Sequence, residues 1–432
     1  MFKINLKVSR LCRLILGIAL SASLNLSAVE LEEGFVINGA NYESVKNQTF
    51  EGHVIDSMFS DAYKILIKDY GMTVRLGHSD PWTRPEQLIA ISEKYAPNVK
   101  FINETNKIEN FVAGVPFPSL DIENDPKAGW KLAYNIVYSG FLGDVLSWPT
   151  LDFVMVSQEG YERSITYSFS LYQMLGRRSS GDNHIEGNGE IRSLTKLIAT
   201  SPADVRGVGS FATRYADGRL DDVYVYIRAV RRFRRVSGGS WYDPVQGSDF
   251  LLDQTSNAFN ADPIWYKDFR LLEKRIMLSP ETTTAYYASG ESSGSPQEKY
   301  PKLDLDTPPY WNYTDENEYW RPREIYVLEA IPPKGHPNSR RIVYVDADPY
   351  MPLPFAVDNY DRAGNLWTVY SNTAQRVTTA DGHPTVNPVI ARMVDLKSLR
   401  ATLLPSGPGR VVNPPGVTAQ DFNLESVRKL IE

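Results

Sequence analysis

Residues 164–171 alternate between two kinds of side chain. Ile165, Tyr167, Phe169 and Leu171 are apolar, whereas Ser164, Thr166, Ser168 and Ser170 carry hydroxyls. A period of two predicts a half-buried strand with one apolar and one polar face. Similar runs lie at 151–156, 221–236, 324–330, 340–346, 355–360 and 366–371. The last four are joined by short polar turns, such as Asp361-Arg362-Ala363-Gly364-Asn365, which predicts an antiparallel meander of neighbouring strands. Helical periodicity is confined to the flanks. Residues 86–95 follow Pro85, space Leu88, Ile89, Ile91 and Tyr95 near a helical repeat and stop before Pro97. Residues 58–70 carry Phe59, Ala62, Tyr63, Leu66 and Ile67 on one stripe, a second predicted helix. From about Trp130 onward the period of two takes over. Near the end, the Pro- and Gly-rich stretch 404–415 leads into a short tail helix at 424–431. The expected class is mainly β with a few packing helices (α+β).

The first 28 residues follow a different pattern. Lys3, Lys7, Arg10 and Arg13 precede the apolar run 14–22, the arrangement of a secretory signal. That run is shorter than the roughly 20 residues a membrane-spanning helix needs; a retained anchor is the alternative. Ser21-Ala22-Ser23 and Ser27-Ala28 both offer cleavage sites, and the expected cut follows Ala28. The one cysteine, Cys12, lies ahead of the apolar run and so is not placed for lipidation. The mature chain then has no thiol, which excludes disulfides, thiolate catalysis and cysteine-based zinc sites. No later apolar run approaches membrane length. The expected organisation is a signal at 1–28, a helical or irregular region at 29–117, a β region at 118–375 and an extension with the tail helix at 376–432.

Composition narrows the partners. The formal net charge of −6 becomes about −10 once the four signal cations are removed, which argues against nucleic acid. With 25 Tyr, 8 Trp and 17 Phe, the chain suits a sheet that lines something, since Tyr and Trp bury area while keeping a polar handle. Catalytic patterns are weak. Gly290-Glu291-Ser292-Ser293-Gly294 matches a nucleophile elbow in letters, but it lies in the Ser/Gly/Pro-rich stretch 289–309 rather than between a buried strand and a helix. That stretch reads as a surface loop or flap. Gly207-Val208-Gly209 reads as a turn between strands, and His53, His78, His184, His336 and His383 present no metal-binding spacing. No cofactor or metal is expected, and no reaction is demanded.

The segment 221–236, DDVYVYIRAVRRFRRV, is the most unusual in the chain. Read as one strand, it puts Val223, Val225, Ile227 and Arg231 on one face and Tyr224, Tyr226, Arg228, Arg232, Arg234 and Val236 on the other. Arg228, Arg232 and Arg234, with Tyr224, Tyr226, Trp241 and Tyr242 nearby, form a candidate pocket rim that holds an anionic head group bidentately beside an apolar tail. The alternative is that these arginines pair with acids on neighbouring strands, where each pair contributes little.

Val225-Tyr226-Ile227, Arg231-Arg232-Phe233-Arg234-Arg235, Tyr242-Asp243, Gly247, Asp253 and Phe259-Asn260 together resemble the DUF1329 family of exported Gram-negative proteins. So do Trp320-Arg321, 326–330, 340–346 and 360–367. The likeness runs from about Trp130 to Ala374. One departure is Ala229-Val230, where the family often has Gly-Gln; this puts a tight turn in doubt, so that the strand runs on into the arginines. The resemblance implies an incompletely closed, antiparallel β-barrel wrapped around helices, like the outer-membrane lipoprotein-sorting and insertion carriers. It also implies a periplasmic carrier of a lipid, lipoprotein acyl chain or other apolar molecule, associated with an RND-type transporter and an outer-membrane protein. Two other functions stay open: a hydrolase of apolar esters using Ser292 or Ser293, and a structural adaptor docking through 289–309.

Overall fold

The computed structural model describes residues 29–431 except 179–183, 238, 256–257, 285–302, 313–316, 406 and 408. The signal region, the Ser292/Ser293 pattern and most of the 289–309 stretch therefore lie outside the described residues.

The N-terminal region carries three two-stranded ribbons: β1 (Val36–Ile37) with β4 (Val74–Arg75), β2 (Thr49–Phe50) with β3 (His53–Val54), and β5 (Lys100–Ile102) with β6 (Lys107–Glu109). Among them lie α1 (Tyr42–Val45), α2 (Asp61–Asp69) and α3 (Glu86–Tyr95). The Ser60 hydroxyl caps α2 by accepting from the Tyr63 N–H, one of the donors that a helix start leaves without a partner. The stripe Ala62, Tyr63, Leu66 and Ile67 is buried. A further helix, α4 (Ala128–Tyr138), stands where the period of two was expected to begin. It is buried on nearly every side, from Trp130 to Tyr138, so it has no polar stripe to reveal its period. Gly129 lets it press on the sheet: a Cβ there would come within 2.7 Å of the Arg270 and Leu271 backbone nitrogens.

The rest of the chain builds one 14-stranded sheet. In chain order its strands are β7 (Val145–Ser157), β8 (Gly160–Gln173), β9 (Ile191–Ser201), β10 (Gly209–Tyr215), β11 (Asp222–Ile227), β12 (Arg232–Val236), β13 (Asp268–Thr282), β14 (Glu318–Ile331), β15 (Arg340–Asp346), β16 (Pro354–Tyr360), β17 (Leu366–Thr378), β18 (Pro384–Asp395), β19 (Arg400–Pro405) and β20 (Val411–Val412). Two meanders meet in the middle. β12-β11-β10-β9-β8-β7 is continued by β19-β18-β17, and β20 pairs with β7. The expected meander β14-β15-β16-β17 is present and antiparallel. Because β13 also meets β17, through the parallel pairs Glu281–Ala374 and Thr282–Gln375, strands β13 to β17 close into a ring while β12 remains a terminal strand. The sheet is thus mixed and partly closed. It also continues past residue 375, since β18 and β19 come from the segment expected to be an extension.

The middle of the sheet is covered on both faces. Val154 and Val156 face a core shared with the N-terminal helices, in which the Tyr63 ring meets Trp320 edge-on at 5.2 Å. Phe153 and Met155, the alternate residues, face a second core with Trp130, Tyr134, Phe250, Phe259 and Tyr266. Two buried faces account for near-continuous apolar runs such as Ile342-Val343-Tyr344-Val345. The tail helix α5 (Leu424–Ile431) docks through Val427 against β9 and β10.

The segment 221–236 is a hairpin rather than one strand. After β11 the chain turns through Arg228–Val230, and Arg231 adopts the left-handed conformation at φ 49°. β12 then pairs back antiparallel. The turn forms without glycine and reverses the expected parity. Arg232, Arg234 and Val236 share a face with Ile227, Val225 and Val223, and Phe233 lies opposite Tyr226.

Candidate ligand cavity

The first meander curves around a cavity of about 570 Å³. Its floor follows from register. One row across the sheet runs Trp148, Phe169, Leu197, Ser210, Val225, and the next runs Leu146, Leu171, Thr195, Ala212, Val223, Val236. All of these line the cavity. Leu151 and Phe153 join them because β7 bulges between Trp148 and Leu151, and the extra residue switches which parity faces inward. The apolar face of β8 is therefore the cavity floor. Trp148, Phe169 and Leu197 are half-buried, in keeping with apolar side chains that border a space.

A third row is polar: Gln173, Ser193 and Arg214. Beside it, the Arg214 Nη2 donates to Asp221 Oδ2 at 2.8 Å and to Asn260 Oδ1 at 2.8 Å. Arg192 Nη1 donates to Asp262 Oδ2 at 3.1 Å, and the same oxygen accepts from the Tyr138 hydroxyl at 2.6 Å. Burial of Arg192 disfavours its charge, but Tyr138 and Asp262 outweigh that and hold its pKa above the usual guanidinium value. Burial and then Asp262 push the Tyr138 hydroxyl well up, so it stays a neutral donor. Arg219 pairs with Asp217 at 2.9 Å and lies 3.6 Å from the Tyr215 ring centre. Arg192, Arg214 and Arg219 are thus each held by a carboxylate of the chain itself.

The roof is built from the described residues between 237 and 267, short helical turns and loops that follow β12, with Trp241, Val245, Leu252, Phe259 and Trp265 facing the cavity. A buried polar clamp behind it ties it to the sheet. Arg341 Nη1 donates to Asp253 Oδ2 at 3.1 Å and to the Tyr266 hydroxyl oxygen at 2.6 Å, Nη2 to the Ala258 carbonyl at 2.7 Å and Nε to Asn359 Oδ1 at 3.0 Å. Asp253 also accepts from the Ala261 N–H at 2.9 Å and from the Tyr266 hydroxyl. Both Arg341 and Asp253 are 0% exposed. Next to the clamp, His336 Nδ1 accepts from the Asn338 N–H at 2.9 Å and its ring meets Tyr242 edge-on at 4.9 Å. Burial lowers the His336 pKa to about 4, so the ring is neutral at ordinary pH.

The seven residues singled out from the sequence fall in different places. Trp241 lines the cavity. Tyr242 stands behind it against His336. Arg232 and Arg234 are exposed on the floor-side face of β12, beyond the apolar rows. Arg228 donates to the Ala203 and Arg206 carbonyls. Tyr224 and Tyr226 occupy the opposite face of the sheet, Tyr226 packing on Phe233 at 5.1 Å. Phe169, Leu197, Ala212, Arg192 and Arg214 were not anticipated as lining residues, although the alternation at 165–171 already marked Phe169. Among the described residues no three His, Asp or Glu side chains gather as metal donors, and no described helix is long and apolar enough to cross a membrane.

Fold and cavity together define a mainly β protein with a partly closed sheet curved around an apolar space. The sequence profile described as Protein of unknown function (DUF1329) matches residues 36–427, and the chain belongs to that family. Three solved structures are similar. A DUF1329 family protein from Desulfovibrio piger shares 19% identity over 70% of this chain and 100% of that one, at a TM-score of 0.45. A domain from Vibrio parahaemolyticus, provisionally described as an outer membrane lipoprotein-sorting protein, shares 18% identity over 66% and 92% at 0.43. A LolA superfamily protein from Nitrosomonas europaea shares 13% over 66% and 92% at 0.36. None of the curated proteins matches the chain.

Proposed function

We propose that this protein is an exported, periplasmic carrier that binds an apolar molecule, a lipid or a lipoprotein acyl chain, and does no chemistry on it. The observation that carries the reading is the cavity: about 570 Å³, floored by two rows that are apolar except at Ser210 and Thr195, within the size range of ligand sites and dominated like them by apolar and aromatic walls. Its polar row lies to one side, as suits an amphiphile whose tail covers Phe169, Leu197 and Val225. Burial of each methylene contributes about 0.8 kcal/mol, so affinity is tuned by how much of a chain fits, and a carrier can still release it. Transfer between an inner-membrane transporter and the outer membrane is the place in the cell that suits such a carrier.

The test is titration of the mature protein with N-phenylnaphthylamine, followed by displacement with fatty alcohols of increasing length. Saturable binding near one-to-one is expected, with displacement strengthening about fourfold per methylene until the cavity is full. Ala212→Trp, which fills the floor, should weaken probe binding at least about tenfold without lowering the thermal midpoint. Absence of saturable uptake would overturn the reading.

A further inference from the structure

One stretch of the cavity mouth is apolar and exposed. Leu220, Val236 and Trp265 all line the cavity yet are 41%, 39% and 36% exposed. Along the floor-side face of β12, Val236 at the mouth is followed by Arg234 and then Arg232. Arg231, Arg232 and Arg234 are exposed and none has a carboxylate within salt-bridge distance among the described residues, whereas Arg235 is paired with Asp222. An acidic chain, with a net charge of −6, thus leaves three cations together beside the exposed rim of its own cavity, while the cavity-lining Arg192, Arg214 and Arg219 are paired.

We propose that this rim docks on an anionic bilayer surface, with Arg231, Arg232 and Arg234 over lipid phosphates and Leu220, Val236 and Trp265 at the interface. The mix is that of an interfacial anchor: basic groups drawn to anionic lipid beside a part-exposed aromatic, Trp265, whose N–H is held by the Gly218 carbonyl. Charges on a terminal strand also guard against edge pairing, but that role does not call for one sign of charge, or for exposed Leu220 and Trp265 beside it. An acidic protein strand added to β12 fits less well. Such a strand would set its carboxylates beside the arginines as cross-strand neighbours, but Leu220 and Trp265 lie outside β12 and would stay uncovered. That docking brings the mouth against lipid matters for cargo only if the carrier reading holds; the docking itself does not depend on it.

The test is co-sedimentation of the mature protein with vesicles of phosphatidylcholine containing about 30% phosphatidylglycerol, against phosphatidylcholine alone. Binding to the anionic vesicles is expected, falling as salt rises from about 50 to 500 mM because the arginines are exposed to screening. Each arginine contributes about fivefold to partitioning, so Arg232→Glu/Arg234→Glu should lose at least about 25-fold. That variant keeps a charged edge and should keep the parent's oligomeric state and thermal midpoint. Leu220→Asp, which leaves all the arginines in place, should also bind less. Equal binding to both vesicle types, or undiminished binding by the double variant, would overturn the proposal. Normal N-phenylnaphthylamine uptake alongside failed docking would sink the docking alone; docking without uptake would sink the carrier reading alone.

Discussion

Replacing Arg341 with Met removes the cation that ties the cavity roof to β15. Its guanidinium makes four hydrogen bonds, to Asp253, Tyr266, Ala258 and Asn359, with no exposure to water. After the substitution Asp253 keeps the Asn260 and Ala261 N–H groups but is left as a buried charge without a counter-ion. Breaking one side of a buried pair costs about 3–5 kcal/mol. At an m-value of roughly 3 kcal/mol/M the urea midpoint should fall by about 1 to 1.7 M. Asp253→Asn in the same background removes the stranded charge, so the double variant should be more stable than the two separate losses summed predict, by 1 kcal/mol or more. Circular dichroism and tryptophan fluorescence follow the transition, and N-phenylnaphthylamine follows the cavity, which should weaken in Arg341→Met under native conditions as the roof loosens. A loss below about 1 kcal/mol, or strictly additive costs, would refute the argument that this clamp holds the roof.

Two buried titrating groups give opposite pH dependences. Burial first, with nearby Asp61 adding to it, pushes Asp358 up to about 7, so between about pH 4 and 7 the folded state holds a proton that the unfolded state has lost, and stability falls as pH rises. Asp358→Asn keeps a partner for the Tyr344 hydroxyl, 2.9 Å from Asp358 Oδ2, and should gain up to about 4 kcal/mol over the parent above pH 7. His336, lowered to about 4 by burial, acts the other way. Its contribution is complete above about pH 6.5 and is lost as pH falls toward 4, so His336→Gln should flatten up to about 3 kcal/mol of acid destabilisation. Urea midpoints from pH 4 to 8 check both, and a parallel shift at every pH would contradict either. Gly129→Ala should destabilise by roughly 2 kcal/mol despite its better helix propensity, because the added methyl would meet the β13 backbone; a higher thermal midpoint would mean that α4 stands away from β13.

Among the elements legible in the sequence are those with one wet face. Helices at 86–95 and 424–431 have the observed bounds, and the Ile165–Leu171 alternation is a strand whose apolar side became the cavity floor. Of the elements without a wet face, β15 and β16 were legible as short apolar runs between polar turns, but α4 and β18 were not. Helix α4, Ala-Gly-Trp-Lys-Leu-Ala-Tyr, is apolar almost all round and shows no stripe. β18 carries Pro384 and Pro388, residues that argue against a strand interior. Pro388 is tolerated at a register shift, facing Ala374. The hairpin at 222–236 was hidden because its turn uses Arg228 to Arg231, with Arg231 taking a positive φ that a glycine would have announced. The cavity itself depends on register across six strands and on a roof with little regular structure. Several residues behind the family resemblance, Asp253, Phe259-Asn260 and Arg341, belong to the roof and its clamp, so that part of the family pattern holds a wall in place.

The central claim is that the cavity holds an apolar cargo, and native mass spectrometry of the mature protein purified from its own compartment, with organic extraction of whatever it carries, tests this most directly. The account predicts an acyl-bearing or similarly apolar species at close to one per protein, absent from Ala212→Trp. An empty protein that also takes up no N-phenylnaphthylamine would contradict it.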